Sequence, residues 1–288
     1  MAEKLTLKIS LGKHAHCKPL KDGTVTSSRL NLEFVEYDPM PKAFRAMIRD
    51  MSLDVSEMAV VNHMLAHDFK KPLRAIAIPL WSRLPHENLV CPADSTLDGP
   101  KGLEGKSVGV RAYGQTSGVW VRGVLATEYG VDLNSINWLT MEDAHVAEYV
   151  DPPITTRNTS GKGLRELMNE GQLVAIMGER EVDPTGIRTV VPDAERVARE
   201  WTSKTGMFPV NHVLTVKTHL LEEHPWLAQE LFDVCEEARR VAVANGAAPP
   251  PAYGLEANRR SLELLCGFCA DQKITSRLYS VDEIFEKI

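Results

Sequence analysis

The sequence predicts an α/β protein built of two lobes with a ligand cleft between them. Strand-like and helix-like segments alternate along almost the whole chain, which is typical of parallel sheets covered by helices. The length of 288 residues suits roughly two packed units of about 100–200 residues each. Polar and titratable residues follow several predicted strands, at the sheet edge where ligands bind in such folds.

The composition is that of an ordinary globular protein that binds neither nucleic acid nor membrane. Lys and Arg total 33 against 39 Asp and Glu, which gives a formal net charge of −6. Phosphate binding needs a basic face, so a nucleic-acid partner is not expected. The longest apolar runs fall far short of the roughly 20 residues that span a membrane. The N-terminal segment alternates apolar and polar residues, unlike a signal peptide, which predicts a cytoplasmic protein.

The first half of the chain reads as strands alternating with helices. Period-2 patterns and short apolar runs predict strands at residues 5–11, 30–37, 54–59, 75–80 and 88–91. The spacing of apolar residues predicts helices at residues 41–51 and 60–69. A loop rich in Gly, Pro, Asp and Ser spans residues 92–105, and a new strand follows at 107–111. This loop is the first candidate for a boundary between lobes.

The second half continues the alternation and ends in helices. We predict helices at residues 116–130, 164–170, 194–204, 220–245 and 255–279, and strands at 136–140, 173–177, 189–191 and 213–216. The polar stretch 151–163 is predicted to be a loop. Crossings between the lobes are expected near residues 105–108 and 209–213. The first lobe would then comprise residues 1–107 and 213–288, and the second residues 108–212.

Two histidines directly after the first strand form the first candidate site. His14 and His16 are two residues apart, so in an extended segment both side chains point to one side. At the carboxyl end of a strand they could serve as acid and base groups near neutral pH. They could equally be two ligands of a divalent metal, or belong to a solvated loop.

A strand–turn–helix junction at residues 111–118 forms the second candidate site. Backbone N–H groups and the helix dipole at Thr116, Ser117 and Gly118 favour an anion, and two hydroxyls add donors. Arg111, at the end of the strand, offers a planar fork suited to a carboxylate. The alternative is that the hydroxyl residues only cap the helix.

Further titratable residues follow other predicted strands. His145 lies in the dense polar run 141–149, where a neighbouring carboxylate can tune the pKa of its ring. The remaining candidates after strand ends are Ser56, Glu57, Arg83, His86, Glu179 and His212. Because strand ends of one sheet meet at one edge, we expect these side chains to contribute to the cleft.

Several runs of the sequence resemble the 4,5-dihydroxyphthalate decarboxylase family. The runs are residues 53–58, 111–123, 142–152 and 178–180. The resemblance implies a type II periplasmic-binding-protein fold adapted to catalysis in the cytoplasm. It also implies an aromatic ortho-dicarboxylate with adjacent hydroxyls as substrate, and protocatechuate and CO₂ as products. The family pattern Phe-Pro-Ile-Met-His reads Phe-Pro-Val-Asn-His at residues 208–212, so Asn211 brings a polar group near the predicted cleft.

The implied reaction can be matched to residues as a hypothesis. Loss of CO₂ from an arene needs a base for a hydroxyl, an acid for the ring carbon and an anchor for the retained carboxylate. Arg111 with Thr116 and Ser117 would be the anchor, and His14 and His16 could polarise the hydroxyls. His145 or Glu57 could deliver the proton. No organic cofactor is expected, because the hydroxyl replaces an electron sink.

Two other functions fit the same fold. A non-catalytic solute-binding or sensor protein for a small aromatic carboxylate would keep the anchor but would need no acid. Another cytoplasmic enzyme of this fold, such as those of the futalosine route to menaquinone, matches the cleft motifs less well. A decarboxylase and a solute-binding protein would both have a small aromatic carboxylate as their partner. The sequence is also compatible with a homo-oligomer.

Overall fold

The computed structural model describes residues 3–177 and 185–288. In these ranges the strands form two separate sheets, as expected for two lobes. The first sheet has the order β2-β1-β3-β11-β4, with β1 (Leu5–Ser10), β2 (Leu30–Phe34), β3 (Val55–Ala59), β4 (Leu73–Ser82) and β11 (Val210–Lys217). β1 runs parallel to β2 and β3, whereas β11 is antiparallel to β3 and β4.

The second sheet has the order β10-β5-β9-β6-β7-β8. Its strands are β5 (Leu89–Pro92), β6 (Ser107–Val110), β7 (Asn137–Thr140), β8 (Thr155–Arg157), β9 (Ala175–Met177) and β10 (Ile187–Thr189). β6 runs parallel to β7 and β9, and β5 is antiparallel to β9 and β10. The pairing of β8 with β7 corrects the prediction that residues 151–163 are only a loop, because this short strand adds to the sheet edge.

The helices cover the sheets on both lobes. They are α1 (Lys18–Lys21), α2 (Pro41–Arg45), α3 (Val60–Asp68), α4 (Thr116–Tyr129), α5 (Leu164–Asn169), α6 (Ala194–Thr205), α7 (Thr218–Glu223), α8 (Leu227–Ala244), α9 (Leu255–Asp271) and α10 (Val281–Ile284). The predicted helix at 220–245 is two helices, because Pro225 cannot continue the first of them. The predicted helix at 255–279 ends at Asp271, just before Lys273 adopts a left-handed conformation with φ 56°.

In the structure the chain crosses between the lobes at earlier residues than the sequence predicts. β5 at residues 89–92 already lies in the second sheet, and Val210–His212 already lies in the first. The chain therefore crosses between residues 82 and 89 and again between 189 and 210, rather than at 107/108 and 212/213. The four-residue β5 is too short to reveal from its sequence which sheet it joins.

Packing ties the two lobes together beside the crossings. Trp120 of α4 donates its indole N–H to the carbonyl of Val210 at 3.1 Å. A Cβ on Gly123 of α4 would lie only 2.1 Å from the ring of Phe268 on α9, so glycine is required there for the helices to approach. Helix α9, near the C-terminus, thus packs against α4 of the second lobe. No helix of the described ranges is long and apolar enough to span a membrane.

Candidate active site

A cavity of about 260 Å³ lies between the lobes and is lined by residues of both. This volume is near the lower end of the roughly 300–1,000 Å³ range of ligand sites, and suits a small molecule. The lining residues are Pro39, Pro41, Phe44, Ala59, Asn62, Trp81, Arg83, Arg111, Ala112, Gly114, Gln115, Thr116, Ser117, Ala144, His145, Asn211 and His212. Many of them follow strand ends, so the sheet edges meet here as expected.

The predicted carboxylate anchor faces this cavity. Arg111 follows β6 directly, and Thr116 and Ser117 form the first turn of α4. Gln115, which precedes that turn, makes no side-chain cap. The Thr116 hydroxyl oxygen instead accepts the backbone N–H of Val61 at 3.0 Å. The positive end of a 14-residue helix therefore lies beside a guanidinium group, an arrangement that favours a bound anion.

Arg111 carries a partner within the protein. Its Nη1 lies 3.1 Å from Oε1 of Glu142, and both side chains are partly exposed. The backbone N–H groups of Met141 and Glu142 both donate to the Arg111 carbonyl at 2.9 Å. Since a guanidinium has five donors, this ion pair orients Arg111 and leaves it capacity to bind a ligand. Gly118 does not line the cavity, and its missing Cβ gives room to Nη1 of Arg122, 3.2 Å from the Cβ position.

A buried carboxylate, Glu57 of β3, holds two histidines. Its oxygens lie 2.9 Å from Nε2 of His14 and 2.6 Å from Nδ1 of His212, and the N–H of Gly12 donates to it at 2.7 Å. Burial alone would raise the pKa of Glu57, but the hydrogen bonds from His14 and His212 outweigh it and hold the pKa well below its usual range. Glu57 is therefore ionised near neutral pH and accepts hydrogen bonds from both rings.

His212 connects this carboxylate to the cavity. It lies on β11, and its ring is 5.1 Å from the ring of Phe44 and 4.8 Å from that of Trp81, measured between centroids. Glu57 itself does not line the cavity, so it acts on a ligand there through His212. Because Nδ1 faces Glu57, Nε2 is the nitrogen through which His212 could exchange a proton with a ligand.

His145 lines the same cavity in a different electrostatic environment. Burial, and then the charges of Arg111, Arg45 and Arg49, lower the pKa of His145 to about 3. Its backbone carbonyl accepts from Nε of Arg49 at 2.8 Å, and its Nδ1 has no partner in the described part of the chain. His145 is therefore neutral near pH 7, whereas His212 lies against the ionised carboxylate of Glu57. The two cavity histidines thus have different electrostatic surroundings, which is the arrangement from which acid–base pairs are built.

Three other predicted site residues, His16, His86 and Ser56, do not line the cavity. His16 stacks on His14 with ring centroids 5.3 Å apart and packs against Tyr253, and burial lowers its pKa to about 4. His86 packs against Trp201, 5.8 Å between centroids. Ser56 donates to the carbonyl of Glu57. Glu179, with the predicted run 178–180, lies outside the described residues.

A metal at His14 and His16 remains a prediction. Across residues 3–177 and 185–288, no group of three or more His, Cys, Asp or Glu side chains is arranged to hold an ion. His14 already bonds Glu57, and His16 is buried against Tyr253.

The structure adds residues that the sequence did not identify. Phe44, Asn62 and Trp81 line the cavity. The position of Phe44 in a helical pattern indicated only a core residue. Nothing in the sequence marked Trp81 as a cavity residue except its position after a predicted strand. The aromatic pair is the wall against which His212 packs.

Comparisons with known proteins support the resemblance inferred from the motifs. The chain is 28% identical over 253 residues to 4,5-dihydroxyphthalate decarboxylase of Comamonas testosteroni, covering 83% of this chain and 76% of that protein. It is 27% identical over 137 residues to the enzyme of the same name from Pseudomonas putida, covering 47% of this chain and 53% of that protein. No family model matches the chain. The predicted similarity to 4,5-dihydroxyphthalate decarboxylases is thus confirmed.

Solved structures confirm the predicted fold. The alkanesulfonate-binding protein of Xanthomonas axonopodis pv. citri superposes with a TM-score of 0.60 at 15% identity, covering 100% of both chains. The aliphatic sulphonate-binding protein of Escherichia coli gives 0.61 at 12%, covering 99% of this chain and 98% of that one. A desulfurization enzyme gives 0.58 at 14%, covering 99% and 97%. The chain therefore has the two-lobed fold of periplasmic binding proteins, with its cleft between the lobes.

Proposed function

We propose that this protein is a carboxy-lyase that converts 4,5-dihydroxyphthalate to protocatechuate and CO₂ without an organic cofactor. The observation that carries the proposal is one small cavity that holds an anion anchor, a carboxylate-bound histidine and a neutral histidine. The names of the two curated relatives support the same reaction class.

The chemistry explains why three such groups are needed. The C–C bond to a ring carboxylate lies in the plane of the ring, so the electrons it would leave behind cannot enter the π system. Protonating the carbon that bears the carboxylate removes this obstacle. A hydroxyl para to that carbon supplies the electron density, most effectively when a base accepts its proton.

The two cavity histidines divide these tasks according to their surroundings. His212, whose imidazolium form the Glu57 carboxylate stabilises, donates the proton to the ring carbon. His145, which is neutral, accepts the proton of the para hydroxyl as the ring carbon is protonated, because the positive charge on the ring makes that hydroxyl strongly acidic. Glu57 acts as a positioning residue, because it fixes the orientation and charge of His212 without lining the cavity. This assignment replaces Glu57 as a direct proton donor and leaves His14 and His16 with no contact to substrate.

The proposed steps balance in atoms and charge. His145 takes the hydroxyl proton while His212 gives a proton to the ring carbon, which becomes tetrahedral. The C–C bond then breaks, its electron pair returns to the ring, and CO₂ leaves. The hydroxyl regains its proton from His145. In total one proton is consumed for each CO₂ released, and the ring carbon keeps hydrogen in place of the carboxylate.

The retained carboxylate binds at Arg111 and the first turn of α4. A planar guanidinium offers two parallel N–H donors to a carboxylate, and the Ser117 hydroxyl and helix N-terminus add to the same anion site. Charged groups placed this way also overcome the net charge of −6, which would repel a dianionic substrate.

The direct test is to mix the purified protein with 4,5-dihydroxyphthalate and follow CO₂ release together with the ultraviolet spectrum of the ring. The proposal predicts protocatechuate and CO₂ in equal amounts. No turnover, together with thermal stabilisation by many aromatic carboxylates, would instead establish a solute-binding or sensor protein.

A further inference from the structure

Asn211 is held in one orientation by the backbone of the neighbouring strand. The residue is fully buried, and its Oδ1 accepts the N–H of Arg83 at 2.8 Å. A side-chain amide has its acceptor on one branch and both donors on the other. With the acceptor committed to Arg83, the NH₂ group must point the other way.

An irregularity in β11 brings this amide to the ligand cavity. In a regular strand Asn211 and His212 would face opposite sides of the sheet. The pairing of β11 with β4 shifts register on both sides of His212, and such irregularities often re-aim side chains beside active sites. Both residues line the cavity, so Asn211 lies beside the proposed proton donor.

Within residues 3–177 and 185–288, the NH₂ group of Asn211 has no acceptor. Its Nδ2 is buried and makes no hydrogen bond within the described residues. Buried donors in native proteins are rarely left unmatched, because desolvating them without a partner is unfavourable. A donor fixed in this way beside a cavity indicates that a ligand oxygen completes its hydrogen bonding.

The charge of the donor distinguishes the two carboxylates of the substrate. The retained carboxylate keeps its charge throughout, so a cationic anchor such as Arg111 suits it. The departing carboxylate loses its charge as CO₂ forms, and a strong cationic partner would stabilise the ground state more than the transition state. A neutral amide next to His212 can orient that group with less of this penalty.

We propose that Asn211 is a specificity-determining residue that donates a hydrogen bond to the second carboxylate of the substrate, the one lost as CO₂. This inference rests on the proposed function for the class of ligand. It assigns the selectivity for a dicarboxylate over a monocarboxylate to one side chain.

Phthalate and benzoate form a matched pair of probes, because they differ by this one carboxylate and carry no hydroxyl that would permit turnover. Titration calorimetry would give the dissociation constant of each ligand for the wild-type protein and for Asn211→Leu, which is similar in shape and has no donor. The wild type should bind phthalate at least about tenfold more tightly than benzoate. Asn211→Leu should lose that preference, with benzoate affinity within about twofold of wild type.

Two further variants make the result decisive. Asn211→Ala also removes the donor, and its smaller side chain fits the space if the leucine variant does not fold. Arg111→Gln should weaken both ligands together, because both use the anchor. The inference would be overturned by a wild type without the preference, by an Asn211 variant that keeps it, or by equal weakening of both ligands in Asn211→Leu and Asn211→Ala. Absence of CO₂ release from 4,5-dihydroxyphthalate would overturn the proposed function alone, since these titrations need no turnover.

Discussion

Replacing Glu57 by Gln removes the buried charge beside His212 and keeps the size of the side chain. In the structure Oε1 of Glu57 lies 2.6 Å from Nδ1 of His212. With the two delocalised charges centred about 4 Å apart and an effective dielectric constant of about 20, their attraction is about 4 kcal/mol. Glu57→Gln removes this attraction from the imidazolium form that the proposed mechanism assigns to His212.

The expected result is a loss of kcat with little change in KM. General acid catalysis contributes about 10²–10⁴-fold, so we expect kcat of Glu57→Gln to fall at least about 100-fold. KM should stay within about threefold of wild type, because Glu57 does not line the cavity. The alkaline limb of the kcat profile should also move to lower pH, since the imidazolium has lost its partner.

Steady-state decarboxylation measured from pH 5 to 9 tests this prediction. Glu33→Gln is the matched control, because it removes the same charge from an exposed position on β2 and should leave kcat unchanged. Circular dichroism and thermal unfolding would show whether the Glu57 variant is folded. A folded Glu57→Gln protein with kcat near that of wild type would refute the role given to the Glu57–His212 pair.

Three further predictions follow from the same structure. Arg111→Ala should raise KM well over tenfold, and an unchanged KM would remove Arg111 as the anchor. The free energy of unfolding should fall as pH drops below about 6.5. Burial lowers the folded-state pKa of His63 and His145 to about 3 and that of His16 to about 4. The unfolded chain therefore takes up protons at these histidines before the folded chain does. Each of these histidines should contribute about 2 kcal/mol of destabilisation between pH 6.5 and 5, and urea unfolding curves that coincide at pH 7 and 5 would contradict this. Activity should survive dialysis against a chelator. Activity that is lost on dialysis and restored by a divalent metal would instead support a metal site at His14 and His16.

The residues of the proposed anchor could be brought together from the sequence because they are local. Arg111 and the hydroxyls of Thr116 and Ser117 lie within seven consecutive residues, and a strand–turn–helix pattern alone brings them to one edge of the sheet. The alternation of strands and helices predicted the fold class for the same reason, since each element depends mainly on its own residues.

The acid–base arrangement could not be predicted because it depends on long-range pairing. Glu57 and His212 are 155 residues apart and meet only because β11 inserts antiparallel between β3 and β4. His14 and His16 were expected to face the cleft on an extended segment. Instead the chain turns into a short 3₁₀ helix at Ala15–Cys17, which buries His16 away from the cavity. The position of His212 was thus decided by strand pairing far away in the sequence, and that of His16 by a local turn that the alternating pattern did not reveal.

In the proposed reaction this cavity replaces a ring carboxylate by a proton. Turnover of 4,5-dihydroxyphthalate in D₂O, followed by proton NMR of the product, measures that replacement directly. The expected product is protocatechuate with one deuterium at the vacated ring carbon, formed in step with CO₂, and formed at least about 100-fold more slowly by Glu57→Gln. Unchanged 4,5-dihydroxyphthalate after prolonged incubation with folded wild-type protein would contradict it.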